Sequence, residues 1–331
     1  MDRPRKIGVM GGGSWATAIV KLLLNNDQEI NWYIRRQDVI EEIKDHQHNP
    51  HYLSSIHINT KNISFYNDIA KAIEDSDIII VAIPAAFVKE SFIRYYGDYT
   101  NKMIFSAVKG IVPDGNLTVT EFFNKNYNVP FSKLGIISGP CHAEEVALER
   151  LSYLTVSSKN QDDAKYIAER ISCHYLHAKT STDIYGTEYA AVLKNIIAIA
   201  AGICHGLGYG DNFQAVLVSN ALQEIKRFLD KTYPSKRKIN TSAYLGDLLV
   251  TSYSQFSRNR TFGNMIGKGY STNSAQLEMN MVAEGVNAVG CIKEINEQYQ
   301  VKMPITNAVY NILHNKVSPA LEIKLLTEDL K

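Results

Sequence analysis

Short runs of β-branched and other apolar residues recur through the first half of the chain. They lie at Lys6–Met10, Glu29–Ile34, Ile63–Tyr66, Ile78–Ile83, Lys102–Val108, Leu134–Ser138 and Ser152–Ser157. Amphipathic or capped helical segments such as Ala16–Asn25 and Asp68–Asp75 separate many of them. Near-continuous apolar strands alternating with helices predict a buried, mostly parallel sheet, because a strand covered on both faces has no polar side to show. Residues 1–183 are therefore expected to form a doubly wound α/β domain. The period changes near Asp183. Helices are predicted over Ile184–Cys204, Ala215–Lys231, Ala243–Tyr253, Asn280–Tyr299 and Pro304–Asn315, and no further strand run stands out. Residues 184–331 are thus expected to be an all-helical second domain. The boundary, near Thr182–Tyr185, carries no Pro/Gly linker.

The 331 residues suffice for two domains, and a hydrophobic share of 45% gives each a core to bury. A formal net charge of +1 argues against nucleic acid as the main partner, since such domains usually carry a strong basic bias. That balance leaves room for a small local cluster of positive charge. The cysteines, Cys141, Cys173, Cys204 and Cys291, are widely spaced and form no C-x-x-C pair, so neither a disulfide framework nor a metal site is expected. The basic start of the chain is followed by a strand and a glycine turn, without a signal-peptide cleavage site. The most apolar run, Ile196–Cys204, is too short to span a bilayer. A cytoplasmic protein without membrane insertion is expected.

Gly11-Gly12-Gly13-Ser14-Trp15-Ala16 follows the first strand and opens a helix. Gly11 permits a tight turn, Gly13 lets backbone approach a pyrophosphate, and Ala16 is small enough for the helix to pack on the strand. A helix N-terminus then faces the phosphates. Read alone, the pattern also fits an ordinary glycine loop; its place at the start of a strand–helix alternation points to a Rossmann-type dinucleotide cradle. At the end of the second strand, where an NAD-specific fold usually has Asp or Glu, the chain has Arg35 and Arg36. Arginine there can meet a 2′-phosphate, so NADP(H) is the expected cofactor, with NAD(H) also accepted. The alternative is a pair of solvated loop charges.

Further candidate chemistry sits at strand ends and in one helix. Lys109 closes the run Phe105–Val108, and Ser138-Gly139-Pro140-Cys141-His142-Ala143 closes another, at the sheet edge where doubly wound folds place ligands. The helix Tyr189–Ala200 is apolar nearly all round, yet carries Lys194 and Asn195 in its middle. A buried lysine loses charge unless paired, which makes it an acid/base candidate; a lysine snorkelling out of a core helix is the plainer reading. Asp247 and Thr251, four residues apart, share a helix face. Ser257-Arg258-Asn259-Arg260 is a local positive cluster suited to a phosphorylated substrate, or, taken alone, a solvated turn.

Taken together, Gly11–Trp15, Lys109-Gly110, Ser138-Gly139-Pro140, Leu193-Lys194-Asn195, Leu245-Gly246-Asp247-Leu248, Ser257–Arg260 and Val282-Ala283-Glu284-Gly285 resemble the bacterial NAD(P)-dependent glycerol-3-phosphate dehydrogenase family. The resemblance spans nearly the whole chain in the expected order. It implies reversible hydride transfer between NAD(P)H and dihydroxyacetone phosphate, giving sn-glycerol 3-phosphate for phospholipid synthesis, and a homodimer. It implies Lys194 as the proton acceptor in the oxidation direction and Lys109 in contact with cofactor and substrate. Lys109 and Asn195 would polarise the substrate oxygen, and Asp247 with Thr251 would orient Lys194. Gly139, Cys141, Asp247, Ser257, Arg258 and Asn259 would hold the substrate, with Arg258 and Asn259 at its phosphate. Ser14, Trp15, Arg35, Ala143, Arg258, Val282 and Glu284 would contact the nucleotide. Where the family commonly has Ser or Thr after Gly139-Pro140, this chain has Cys141, a weaker hydrogen-bond donor. Two rival readings are a related two-domain β-hydroxyacid dehydrogenase of the 6-phosphogluconate type and a nucleotide-sensing protein without turnover.

Overall fold

The computed structural model describes residues 5–279 and 282–331, so the expected helix start at Asn280 lies outside the described residues. The chain divides into two compact units, 1–108 with 117–184, and 109–116 with 185–331. Lys109, which in sequence follows a strand of the first unit, therefore belongs to the second.

The first unit is built on an eight-stranded sheet of β1 (Ile7–Met10), β2 (Ile30–Tyr33), β3 (Ile63–Tyr66), β4 (Ile78–Val81), β5 (Met103–Ser106), β6 (Leu134–Ser138), β7 (Ser152–Ser158) and β8 (Leu176–Ser181). Their order is β3-β2-β1-β4-β5-β6-β7-β8. All pairs are parallel except β6 with β7. The first six strands follow the doubly wound dinucleotide-binding order, which places its switch point between β1 and β4. Helices α1 (Ser14–Leu24), α2 (Gln37–His46), α3 (Ile69–Glu74), α4 (Val88–Phe92), α5 (Val119–Tyr127), α6 (Ala143–Ala147) and α7 (Gln161–Ile171) complete the unit. Residues of β1, β2 and β4 are buried without alternation, as a sheet covered on both faces requires. The sequence pattern gives no sign of β8. Its residues, Leu-His-Ala-Lys-Thr-Ser, form a half-exposed edge strand with only two apolar positions, too few to register as a strand run.

The second unit is helical: α8 (Ile184–Gly206), α9 (Asp211–Thr232), α10 (Asp247–Tyr253), α11 (Arg258–Gly267), α12 (Thr272–Glu278), α13 (Glu284–Tyr299), α14 (Pro304–Leu313) and α15 (Pro319–Asp329). The stretch expected as one helix over Ala243–Tyr253 begins with a π-helical turn, Ser242–Gly246, before α10. Helices α11, α12 and α15 were not expected. In α11 the reason is visible in its packing. A Cβ on Gly263 would lie 2.1 Å from the Ile199 carbonyl oxygen, and one on Gly202 would lie 2.1 Å from the Arg260 carbonyl oxygen. The helix seats glycine backbone, rather than a full apolar stripe, against α8, so the usual periodicity is weak.

Helix α8 is longer than its most apolar run suggests. At 23 residues it is apolar enough to cross a bilayer by length and composition, but 89% of its most apolar window is buried inside the protein. Leu193, Ile196, Ile197, Ile199, Ala200 and Ile203 on it join Ile111, Leu217, Phe228, Phe262 and Val289 in one core. A core helix must be apolar on all sides, and α8 is one.

Candidate active site

The glycine turn leaves β1 at the sheet's switch point. Gly11 has φ +136°, and a Cβ on it would lie 2.5 Å from the Ala82 carbonyl oxygen, so both conformation and space demand glycine. Gly13, the N-cap of α1, is different: a Cβ there would meet no atom within 4 Å. The turn is thus close-packed against β4 at Gly11 and open at Gly13, where a helix N-terminus with no acidic residue in its first turn can receive a pyrophosphate. Ser14 and Trp15 begin α1, and Ala16 is fully buried in the core beneath it. These residues fit a dinucleotide.

The two arginines after β2 are not equivalent. Arg36 is the N-cap residue of α2, and its guanidinium is paired with the Asp38 carboxylate, with Nε 3.0 Å from Oδ1. Arg35 is exposed and has no hydrogen-bonded or ion-paired partner among the described residues. Elsewhere in this unit, Gly139 follows β6 with φ +131°, Cys141 is buried, and Ala143 is the first residue of α6.

In the second unit, Lys194 on α8 and Asp247 and Thr251 on α10 meet. Lys194 Nζ donates to Asp247 Oδ1 at 2.6 Å and to Thr251 Oγ1 at 2.7 Å. Thr251 in turn donates to the Asp247 carbonyl oxygen at 2.6 Å, which fixes its lone pairs toward the lysine. The i, i+4 spacing on α10 puts both acceptors on one face. Lys194 is only 4% exposed and Asp247 1%. Asp247 Oδ2 is buried without a hydrogen bond and faces Lys109 Nζ at 3.5 Å. Burial pushes the Lys194 ammonium down to about 7; the Asp247 charge opposes that shift and the Lys109 charge adds to it. A side chain normally charged throughout the physiological range is so brought to where it can give and take a proton.

Asn195, next to Lys194 on α8, is buried. Its Nδ2 donates to the Lys109 backbone oxygen at 2.7 Å, so its amide anchors the Lys109 segment. Beside it, α13 starts close enough that a Cβ on Gly285 would lie 2.7 Å from the Asn195 carbonyl oxygen. The Gly285 N–H donates to Asn259 Oδ1 at 2.9 Å. Asn259 is therefore tied to the lysine cluster through the start of α13. Ser257 is the N-cap of α11, its Oγ accepting from Arg260 N at 3.3 Å, and Arg258 is the first residue of that helix. Glu284 opens α13, and Val282 is exposed. The structure thus gathers Lys109, Lys194, Asn195, Asp247 and Thr251 into one cluster, with Asn259 joined to it. The residues of the first unit expected to contact the cofactor stand on the glycine turn and neighbouring strand ends.

Sequence reasoning missed Asn49. Its fully buried side chain reaches the glycine turn from the loop after α2, donating to the Gly12 carbonyl oxygen at 3.1 Å. Only a buried polar residue in an otherwise polar stretch marks it, and burial is not legible in sequence.

A glycine cradle at the switch point of a doubly wound sheet, together with a buried lysine held by a carboxylate in a helical unit, defines a nicotinamide-dependent dehydrogenase acting on a carbinol or carbonyl carbon. The chain belongs to the NAD-dependent glycerol-3-phosphate dehydrogenase family: the family's N-terminal model matches residues 6–164 and its C-terminal model residues 183–324. It is 38% identical over 322 residues to glycerol-3-phosphate dehydrogenase [NAD(P)+] of Bacillus subtilis, covering 96% of this chain and 93% of that protein. It is 34% identical over 316 residues to the Streptococcus sanguinis protein of the same name, covering 95% and 92%. Among solved structures it is similar to glycerol-3-phosphate dehydrogenase from Coxiella burnetii, with a TM-score of 0.90, 27% identity, and coverage of 98% and 99%.

Proposed function

We propose that the protein interconverts dihydroxyacetone phosphate and sn-glycerol 3-phosphate with NAD(P)H. The family supports this reading, and the observation that carries it is the buried Lys194 held between Asp247 and Thr251. The bound dinucleotide supplies the hydride. In the reductive direction, Lys194 gives one ammonium proton to the substrate oxygen, becomes a neutral amine and is reprotonated from solvent; in the oxidative direction the neutral amine takes the hydroxyl proton. Lys109 adds positive charge beside that oxygen. Asp247 Oδ2, the buried oxygen without a hydrogen bond, accepts from a substrate hydroxyl. Asn195 acts through Lys109 by holding its backbone. Arg258 and the Nδ2 group of Asn259, at the start of α11, take the phosphate, where a helix N-terminus adds to the attraction.

On the cofactor, Arg35 meets the 2′-phosphate of NADP(H), making that form preferred, while Arg36 serves the fold through Asp38. We further propose a cytoplasmic homodimer, without membrane insertion, that feeds phospholipid synthesis. The deciding assay follows NADPH absorbance with dihydroxyacetone phosphate and, separately, 6-phosphogluconate with NADP. Turnover of the first pair alone is expected. Turnover of the second alone would move the protein to the β-hydroxyacid class, and nucleotide binding without turnover of either would make it a sensor.

A further inference from the structure

Three consecutive carbonyls of the glycine turn are each held by a side chain. Trp32 Nε1 donates to the Gly11 oxygen at 2.7 Å, Asn49 Nδ2 to the Gly12 oxygen at 3.1 Å, and Thr17 Oγ1 to the Gly13 oxygen at 3.0 Å. In a trans peptide the carbonyl and the following N–H point in opposite directions. Holding the three carbonyls on these side chains therefore turns the N–H that follows each of them away from its partner, and Gly13 adds open space where a side chain would stand. Trp32 is anchored in the sheet and Thr17 in α1. Asn49 alone reaches the turn from a loop, and it is the one that joins the other parts.

All of Asn49's polar capacity is engaged. Its Nδ2 also donates to Thr17 Oγ1 at 2.9 Å, and its Oδ1 accepts from the backbone N–H groups of His51 at 3.1 Å and Tyr52 at 3.2 Å. The side chain is 0% exposed. A fully buried amide with all its donors and one doubly used acceptor satisfied holds a single orientation, because any rotation strands buried partners. We propose that Asn49 is a positioning residue for the dinucleotide: it fixes the Gly12–Gly13 peptide so that the turn is set for pyrophosphate before the cofactor arrives. It touches no reacting atom. Its contribution is to affinity, through pre-payment of the ordering cost of the turn.

The inference rests on the cofactor reading above, and the test separates the two. The dissociation constant for NADPH is measured by its fluorescence in the absence of substrate, alongside KM for NADPH, kcat and thermal melting. Asn49→Ala is expected to weaken NADPH binding and raise its KM by roughly ten- to a hundredfold, the range for losing a buried hydrogen bond and freeing its partners, while kcat at saturating NADPH stays within about twofold of the parent. Asn49→Asp keeps the acceptor for His51 and Tyr52 but not the donors to Gly12 and Thr17; it is expected to show the same loss with a smaller fall in melting temperature, and it decides the matter if the alanine variant does not fold. A folded Asn49→Asp protein that binds NADPH as the parent does overturns the inference. So does a loss confined to kcat. If the parent itself binds no dinucleotide, it is the cofactor reading that fails.

Discussion

Lys194 and Glu224 are both ionisable, both in the helical unit and both buried, 4% and 0% exposed, yet their surroundings differ in kind. Glu224 on α9 caps α14. Its Oε2 accepts from Ile305 N at 2.8 Å, and its Oε1 accepts from Thr306 N at 2.9 Å and Thr306 Oγ1 at 2.7 Å. Pro304 at the helix start has no N–H to satisfy, so the carboxylate meets the next two donors and the positive end of the helix dipole. Everything Glu224 binds is fixed backbone or its neighbouring hydroxyl, and no exchange with a ligand is built in. The Lys194 ammonium has three protons, of which Asp247 and Thr251 take two. A second cation, Lys109, stands 3.5 Å from the same carboxylate. Burial alone does not make a charge functional. What distinguishes Lys194 from Glu224 is an unfilled hydrogen-bonding capacity and a crowding of like charge that loosens its proton.

Two substitutions separate these roles. Lys194→Ala should lower kcat by about 10² to 10⁴, as for loss of a general acid, with the protein still folded and binding NADPH. Near-parental steady-state turnover would remove Lys194 from the mechanism. Glu224→Ala should do the reverse. Freeing two backbone N–H groups and a hydroxyl in the core costs about 2–4 kcal/mol of stability, read from denaturant unfolding, while kcat of the folded fraction is unchanged. A drop in kcat at constant stability would place Glu224 in the chemistry.

The comparison can also be read in pH. Burial disfavours the charged form in both cases, lowering the lysine to about 7 from 10.5 and raising the glutamate above 4.5. For Lys194 the unfolded chain holds the proton between about 7 and 10.5 when the folded one does not, so this group's contribution to stability rises with pH across that window. For Glu224 the folded state holds the proton longer, so its contribution is present below 4.5 and is lost as pH climbs through the raised folded value. Only Lys194 should appear in catalysis. Reductive kcat, which needs the ammonium, should fall about tenfold per pH unit above about 7, and oxidative kcat should lose activity below it. Profiles that move together in the two directions would assign the titration to another group.

How much of this could be read from the chain follows from how local each feature is. The glycine turn was legible because its geometry is carried by three adjacent residue types between a strand and a helix. Lys194 was legible because a charge within the apolar run of α8 breaks a pattern. The i, i+4 placement of Asp247 and Thr251 needed only helix geometry. Asn195 was picked out, but its bond to the Lys109 backbone was not, since it links positions 86 residues apart. Strand β8 and helix α11 escaped notice because an exposed edge and a glycine-seated helix carry little hydrophobic period. Asn49 was invisible because its meaning lies in the carbonyl it meets.

The same rule of spent and unspent capacity extends to the surface at Arg35 and Arg36. Arg36, at the N-cap position of α2, has closed its guanidinium on Asp38, so its fork is occupied; Arg35, one residue earlier and exposed, has no hydrogen-bonded or ion-paired partner among the described residues. If unspent charge marks the functional residue here, as we propose for the core, Arg35→Ala should cut the ratio of kcat/KM for NADPH over NADH by about tenfold, the worth of one exposed charge-assisted phosphate contact. Arg36→Ala should change that ratio by less than about twofold and touch the start of α2 instead, with only a small effect on stability because water screens an exposed pair. Measuring both variants against both cofactors keeps the outcome unambiguous. Equal losses would mean that the Asp38 pair opens to share the 2′-phosphate, and a larger loss at Arg36 would reverse the assignment, so that proximity to the cofactor rather than spare bonding capacity selects the residue.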